Sequence, residues 1–432
     1  MTADARPLVL QRSDDFDQSG ISPGAFAVGF FFSFRAALVM ISARWLRLGT
    51  EAGVIANLAV EFALLLAIVF QAIGPAARPI SAIVRRSTMR WVLAFLAFSC
   101  LSLLWSATVS RPASFLYWCA MACDVAMVVL LLRGGPIARV SHSLMRGFIS
   151  STCVVACIAW MMPASSDLRL GDPDYFNTNQ IGNLCALAIF MVQILAGSKD
   201  AKWKLPIFFL TVTLLRSLSK STIAAFLVAE GLLLIRDKSM SRKTKAVVAL
   251  AAALLVAAYW GLIGSYFDVY TTTGNQAETL TGRTGIWAYT LDVSLDKPWF
   301  GNGIDAMWKV FPPFGMDMFE ARHAENELLQ QFFAYGMAGV VMLVGVYASL
   351  FRRILGSPNG PSKSVLAAIM LFIFVRGLAE AEPFDLLLPL WMITLFSCIV
   401  DERLESREER THSKILAPAI GGHCANPGST AV

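Results

Sequence analysis

Charge is what this chain has least of. Only 15% of its 432 residues are Asp, Glu, Lys or Arg, and histidine occurs four times. With 56% apolar residues and a mean hydropathy of +0.61, that scarcity excludes both a disordered chain and a soluble globular domain. A cysteine framework is missing too. Of eight cysteines, Cys100, Cys119, Cys123, Cys153, Cys157 and Cys185 fall in or beside apolar runs, Cys398 lies in the last run and Cys424 in the tail. No disulfide scaffold follows, and the i,i+4 pairs Cys119/Cys123 and Cys153/Cys157 read as apolar filler. There is no repeat of fixed period and no matched pair of broken runs in the two halves, which counts against an inverted-repeat transporter. The outer loops are read as free of Asp-x-Asp and His/Cys ligand spacing, so no metal and no cofactor is expected.

What the chain does have is runs long enough to cross a bilayer, where about twenty apolar residues suffice for a helix. About twelve are present: 24–41, 53–73, 91–105, 114–132, 148–162, 181–195, 205–215, 222–235, 246–264, 328–350, 364–375 and 384–400. The expected fold is an all-α integral membrane protein. Its parts are an N-terminal tail (1–23), nine spans (24–264), one large polar loop (265–326), three spans (327–400) and a disordered tail (401–432). Every second interval is basic, carrying Arg78, Arg85, Arg86 and Arg90; Arg133, Arg139 and Arg146; Lys199, Lys202 and Lys204; Arg236, Lys238, Arg242, Lys243 and Lys245; or Arg352, Arg353 and Lys363. Lysine and arginine are retained on the cytoplasmic side in short loops, so both termini are predicted to be cytoplasmic and the 265–326 loop to face outward. The net charge of +6 sits in those inner loops and implies no nucleic-acid partner. The polar start, with Asp14, Asp15 and Asp17, is not read as a cleavable signal.

Charges that break this pattern are the informative ones. Arg169, Arg216, Lys220, Arg283, Arg322 and Arg376 fall on the outer side, at span ends or in loops. Together they point to an anionic ligand at the membrane surface, for which the arginine fork suits phosphate best. Glu325, Glu327, Glu380, Glu382 and Asp385 share that side, with His323 as its one histidine, so a general base beside a phosphate grip is expected there. Arg35, Glu61, Asp124 and Glu230 lie inside spans, and the residues leave open whether they are interhelical partners or a polar path.

Several of these residues stand in recognisable order. Glu325-Asn326 is followed after nine residues by Gly336-Met337-Ala338-Gly339. Upstream come Gly282-Arg283 with Trp287, Pro298-x-x-Gly301-x-Gly303, Leu104-Trp105-Ser106, Arg169-Leu170-Gly171, Asn179-Gln180-Ile181-Gly182 and Ser217-Leu218-Ser219-Lys220-Ser221-Thr222. The pattern, over about 104–380, resembles the O-antigen ligase and polymerase superfamily, the Wzy/WaaL-like polysaccharide enzymes. One position departs: the histidine usual before the asparagine is Glu325 here, with His323 two residues earlier. The lysine in the serine-rich run is similar to the exopolysaccharide polymerase branch.

The resemblance implies a GT-C-like glycosyltransferase bundle in the bacterial inner membrane, acting on its periplasmic face by metal-independent, inverting transfer. The donor would be an oligosaccharide on undecaprenyl pyrophosphate, and a chain-length regulator and an export complex are the further partners it admits. Glu325 and His323 are then the catalytic candidates, and Arg169, Arg216, Lys220, Arg283, Arg322, Asn326 and Arg376 the substrate-binding ones. A repeat-unit polymerase leads, an O-antigen ligase acting on lipid A core follows, and a lipid-linked sugar transporter or flippase is the alternative of another class.

Overall fold

The computed structural model describes residues 20–73, 78–162, 170–172, 175–196, 203–236, 280–312 and 321–420, and a few positions between 241 and 250. Among them every regular element is helical. They are α1 (Pro23–Met40, running into a π-turn Ile41–Trp45), α2 (Thr50–Ala72), α3 (Ile80–Val84), α4 (Ser87–Ser102), α5 (Arg111–Gly134), α6 (Ile137–Met161) and α7 (Thr178–Leu195). There follow α8 (Lys204–Arg216), α9 (Lys220–Arg236), α10 (Leu280–Asp296), α11 (Met307–Val310), α12 (Glu327–Gly356), α13 (Pro361–Gly377) and α14 (Leu390–Ile420). The first helix with its π-turn, α2, α5, α6, α7 and α12 are long and apolar enough to cross a membrane, and α4 is a shorter apolar helix. Each expected run except 246–264, most of which lies outside the described residues, corresponds to a helix.

Helix starts follow local chemistry. Ser110, Asn177 and Asn326 accept the backbone N–H three residues on, capping α5, α7 and α12, and Pro112 sits in the first turn of α5. The first eleven residues of α14 are buried on every side, the mark of a central helix. Trp391 on it meets the rings of Phe32 (4.3 Å) and Phe148 (5.8 Å). Small residues set the tightest crossing. A Cβ on Gly29 would stand 1.9 Å from the Leu144 carbonyl oxygen, and one on Gly147 2.1 Å from that of Phe26, so α1 and α6 touch backbone to backbone.

Two expectations change. The 265–326 interval, read as a loop, contains α10 and α11. Arg283, Ile286, Thr290 and Ser294 recur at helical spacing on the covered face of α10, and Ile286 joins Met307, Phe311, Ala324 and Phe333 in a second small core. The tail, read as disordered from Asp401, stays helical to Ile420. Its first turns are charged for a reason, since Arg86 meets Asp401 (3.4 Å) and Glu405 (3.2 Å), and Arg353 meets Asp401 (3.4 Å). The helix is an ion-paired extension of the last apolar run. Within the spans, Arg35 pairs with Asp124 at 2.5 Å and Gln193 donates to Glu230 at 2.7 Å, so three of the four buried charges are interhelical partners.

Candidate active site

At one end of the bundle the start of α7, the α8–α9 turn, α10, the start of α12 and the end of α13 converge on a single carboxylate. Glu380, 3% exposed in the loop after α13, receives three donors on Oε1: Asn179 Nδ2 (2.8 Å), the Ser221 hydroxyl (2.9 Å) and Arg283 Nη2 (3.2 Å). The α8–α9 turn is built to present these groups. Leu218 takes a left-handed φ of 56°, the Thr178 hydroxyl bonds the Ser217 carbonyl, and the Ser219 hydroxyl donates to Asn179 Oδ1 at 2.7 Å. Asn179 therefore has its acceptor side held by Ser219 and its donor side aimed at Glu380.

Arg283 bridges onward to the entry of α12. Its Nη2 lies 3.4 Å from Glu325 Oε2, and Glu325 Oε1 lies 3.7 Å from His323 Nδ1. Glu325 itself has φ +52°, a conformation that costs a non-glycine residue free energy and clusters at functional sites. The strained turn is pinned by Trp287 Nε1 donating to the Glu325 carbonyl (3.2 Å) and by the Glu325 N–H reaching His323 Nδ1 (3.4 Å). In a neutral imidazole that last contact makes Nδ1 the acceptor and places the proton on Nε2.

Arg376 closes the site from the last turn of α13. It is 1% exposed, yet its Nε and Nη1 have no hydrogen-bond partner, and Arg283 Nε is buried and unmatched as well. Glu382 lies within electrostatic reach of Arg376, His323 and Glu380, and burial raises its carboxyl above the usual range against the pull of Arg376 and His323. Three buried guanidinium N–H positions without acceptors are costly, because each loses water and gains nothing in return. Anionic acceptors reaching these atoms would satisfy them.

The other sequence candidates fall into place unequally. Arg216 and Lys220 flank the α8–α9 turn, adjacent to the serines that hold Glu380 and Asn179. Arg322 is exposed, its guanidinium 5.0 Å from the centre of the Trp308 ring. Asn326 is spent on structure: Oδ1 caps α12 through Leu329 N (3.0 Å) and Nδ2 donates to the Leu378 carbonyl (3.1 Å). Arg169 lies outside the described residues. The reading of the loops as free of Asp-x-Asp spacing overlooks Asp172-Pro173-Asp174; Asp172 is held by Arg44, Nε at 2.6 Å and Nη2 at 3.4 Å, and Asp174 lies outside the described residues. Asn179, Ser219, Ser221 and Glu380 were absent from the candidate list. Their signal was present, since the first three stand in the quoted motifs and Glu380 among the outer carboxylates.

The glycine motifs serve the frame around this site. At Gly336 α12 breaks, with φ +62° and ψ −155°, and the 298–303 segment lays its backbone in the break. Asn302 N and Gly303 N donate to the carbonyls of Phe333 (2.9 Å) and Ala334 (2.7 Å), and Met337 N donates back to Pro298 O (2.7 Å). Trp105-Ser106 docks on the same segment, with Ser106 Oγ on the Ile304 carbonyl at 2.5 Å and Ala107 N on that of Asn302 at 2.9 Å.

Fold and site thus define a helical multi-pass membrane protein with an arginine–carboxylate centre at one end of its bundle. Residues 205–344, from α8 into α12, a stretch that includes Arg283 and Glu325, match the O-antigen ligase family. Over 360 residues the chain is 23% identical to the exopolysaccharide production protein ExoQ of Rhizobium meliloti (strain 1021), covering 76% of this chain and 80% of that one. It is also 28% identical over 142 residues to the O-antigen ligase of Pseudomonas aeruginosa PAO1, 33% of each chain.

Proposed function

We propose that the protein is a polysaccharide polymerase of about twelve spans that joins undecaprenyl-pyrophosphate-linked oligosaccharide repeats at the periplasmic face of the inner membrane. The observation that carries this reading is the set of unmatched, buried donors on Arg283, which lies 3.4 Å from Glu325, and on Arg376. A pyrophosphate offers the acceptors those forks lack, and charge-assisted bonds to it strengthen as the glycosidic oxygen leaves with its negative charge. In the transfer, the acceptor hydroxyl attacks the anomeric carbon from the face opposite the pyrophosphate, the bond to the pyrophosphate oxygen breaks, and Glu325 takes the hydroxyl proton. Glu380 holds Arg283 in place through Nη2, with Asn179 and Ser221 sharing the same oxygen. The step inverts the anomeric centre and is assigned to these side chains alone.

The exopolysaccharide relative spans most of this chain, which favours a polymerase over a ligase, whereas the ligase relative covers a third. The test is purified protein with a lipid-linked repeat as sole substrate, in chelator, with product length read on a gel. A ladder without lipid A core is expected. A single product formed only when lipid A core is added makes the protein a ligase, and lipid movement across a vesicle with no new glycosidic bond makes it a flippase.

A further inference from the structure

Within the spans, where α1, α2 and α5 meet, stands a charge set that does not balance. Arg35 of α1 donates Nη1 to Asp124 Oδ2 of α5 at 2.5 Å, and its carbonyl accepts Asn57 Nδ2 of α2 at 3.2 Å. Glu61, one turn beyond Asn57 on α2, is 4% exposed, and Asp124 is 2% exposed. One guanidinium therefore faces two carboxylates. Three oxygens around it, Asn57 Oδ1, Glu61 Oε1 and Asp124 Oδ1, are buried and receive no donor. Buried acceptors are nearly always satisfied, and an uncompensated charge inside a membrane span is expelled or neutralised. We propose that this junction binds one monovalent cation, sodium or a proton, between Asn57, Glu61 and Asp124.

The charge decides the valence. The set carries one negative charge too many, which a monovalent cation cancels and a divalent one would reverse. The ligand chemistry agrees, because all three free positions are oxygens, two of them on carboxylates, and the Asn57 amide is already oriented by its bond to the Arg35 carbonyl. The other titratable groups facing the junction are Cys119 and Cys123 on α5 and Asp385 and Glu382 in the loop before α14. When ionised they add negative charge, which strengthens the demand for a cation. Asn57, Glu61 and Asp124 make none of the contacts of the Glu380–Arg283–Glu325 cluster, and Glu382 lies within electrostatic reach of both places.

The experiment is thermal unfolding of the full-length protein in detergent, in sodium chloride against choline chloride at equal ionic strength, from pH 5.5 to 8.5. Wild type, Glu61→Gln and Asn57→Ala are compared. If sodium binds, the wild-type midpoint rises by several degrees in sodium over choline at pH 8, Asn57→Ala responds less, and Glu61→Gln does not respond. If a proton binds, sodium has no effect and the wild-type midpoint falls with rising pH while that of Glu61→Gln falls less. Asn57→Ala keeps both carboxylates and then follows wild type; where Glu61→Gln fails to fold, Glu61→Asp, which keeps a carboxyl at a new position, is expected to shift the pH at which the midpoint falls, and no shift counts against the proposal. A wild-type protein insensitive to sodium, whose pH response Glu61→Gln and Asn57→Ala both share, overturns the proposal.

Discussion

At the residue scale the site turns on which acceptor is free to take a proton. His323 Nδ1 already accepts the Glu325 N–H, whereas the Glu325 carboxylate lies 3.4 Å from Arg283 Nη2 and keeps acceptor capacity on its oxygens. Glu325→Gln keeps the shape and loses the acceptor, so turnover is expected to fall by a factor on the order of 10²–10⁴ with donor binding retained, and His323→Ala to fall less. Single-turnover rates on the lipid-linked donor decide this, and a larger loss for His323→Ala would transfer the base role to it. Arg376 poses the complementary case. Its Nε and Nη1 wait for acceptors, so Arg376→Ala is expected to weaken donor binding by about 1.5–3 kcal/mol, on the order of ten- to hundredfold. Direct binding of labelled donor to the solubilised protein measures it, and unchanged affinity removes Arg376 from the phosphate grip.

At the element scale the joint between the 298–303 segment and the broken helix α12 is what a small substitution disturbs most. Gly336 holds φ +62° and ψ −155°, and a Cβ there would lie 2.4 Å from the Trp299 carbonyl carbon. Gly336→Ala is expected to cost at least ~1–3 kcal/mol from backbone conformation alone, with the clash added, and to lower the unfolding midpoint in micelles. Gly231→Ala is the control: it lies inside α9 with nothing within 4 Å of a Cβ, and the exchange is expected to stabilise that helix by up to about 1 kcal/mol. Equal midpoints for the two variants would show that the joint tolerates rearrangement. The same geometry explains why the Gly-x-x-Gly and Pro-x-x-Gly-x-Gly motifs stand where they do. They set a backbone crossing that carries α10 and the Glu325 turn, and they contribute no reacting group.

At the scale of the whole molecule the charges sort to two ends. Arg283, Arg376 and the carboxylates collect where α7, α9 and α12 begin, and Arg78, Arg86, Arg353 and Arg403 collect at the other end, where Asp401, Glu402 and Glu405 or the Ser362 hydroxyl hold them. By the retention of cations on the cytoplasmic side, the site end is expected to be periplasmic. Reporter fusions at Asp292 and just after Ile235 measure this: the first is expected to read periplasmic and the second cytoplasmic, and a cytoplasmic signal at Asp292 reverses the topology and removes the lipid-linked donor from reach.

Much of this was legible along the chain. Apolar runs announce membrane helices because bilayer thickness sets their length, and α1, α2, α5, α6, α7 and α12 fall where hydropathy placed them. Arg283 was legible as a cation that violates the loop pattern, and Glu325 and His323 as a carboxylate and a histidine on the same side; contacts run from Arg283 to Glu325 and from Glu325 to His323. Periodicity was present in 280–296 but masked, since its covered face mixes Arg283, Thr290 and Ser294 with Ile286, and a polar face reads as a loop until a neighbour covers it. The convergence on Glu380 was invisible, because Asn179, Ser221 and Arg283 are 201, 159 and 97 residues away from it. A hydrogen bond across such a distance depends on how helices pack, and the crossing of α1 over α6 and the break at Gly336 are settled by three-dimensional fit rather than by any local pattern. The unmatched donors of Arg376 belong to the same class: a guanidinium's charge is written in its residue type, and its lack of a partner exists only once its neighbours are in place.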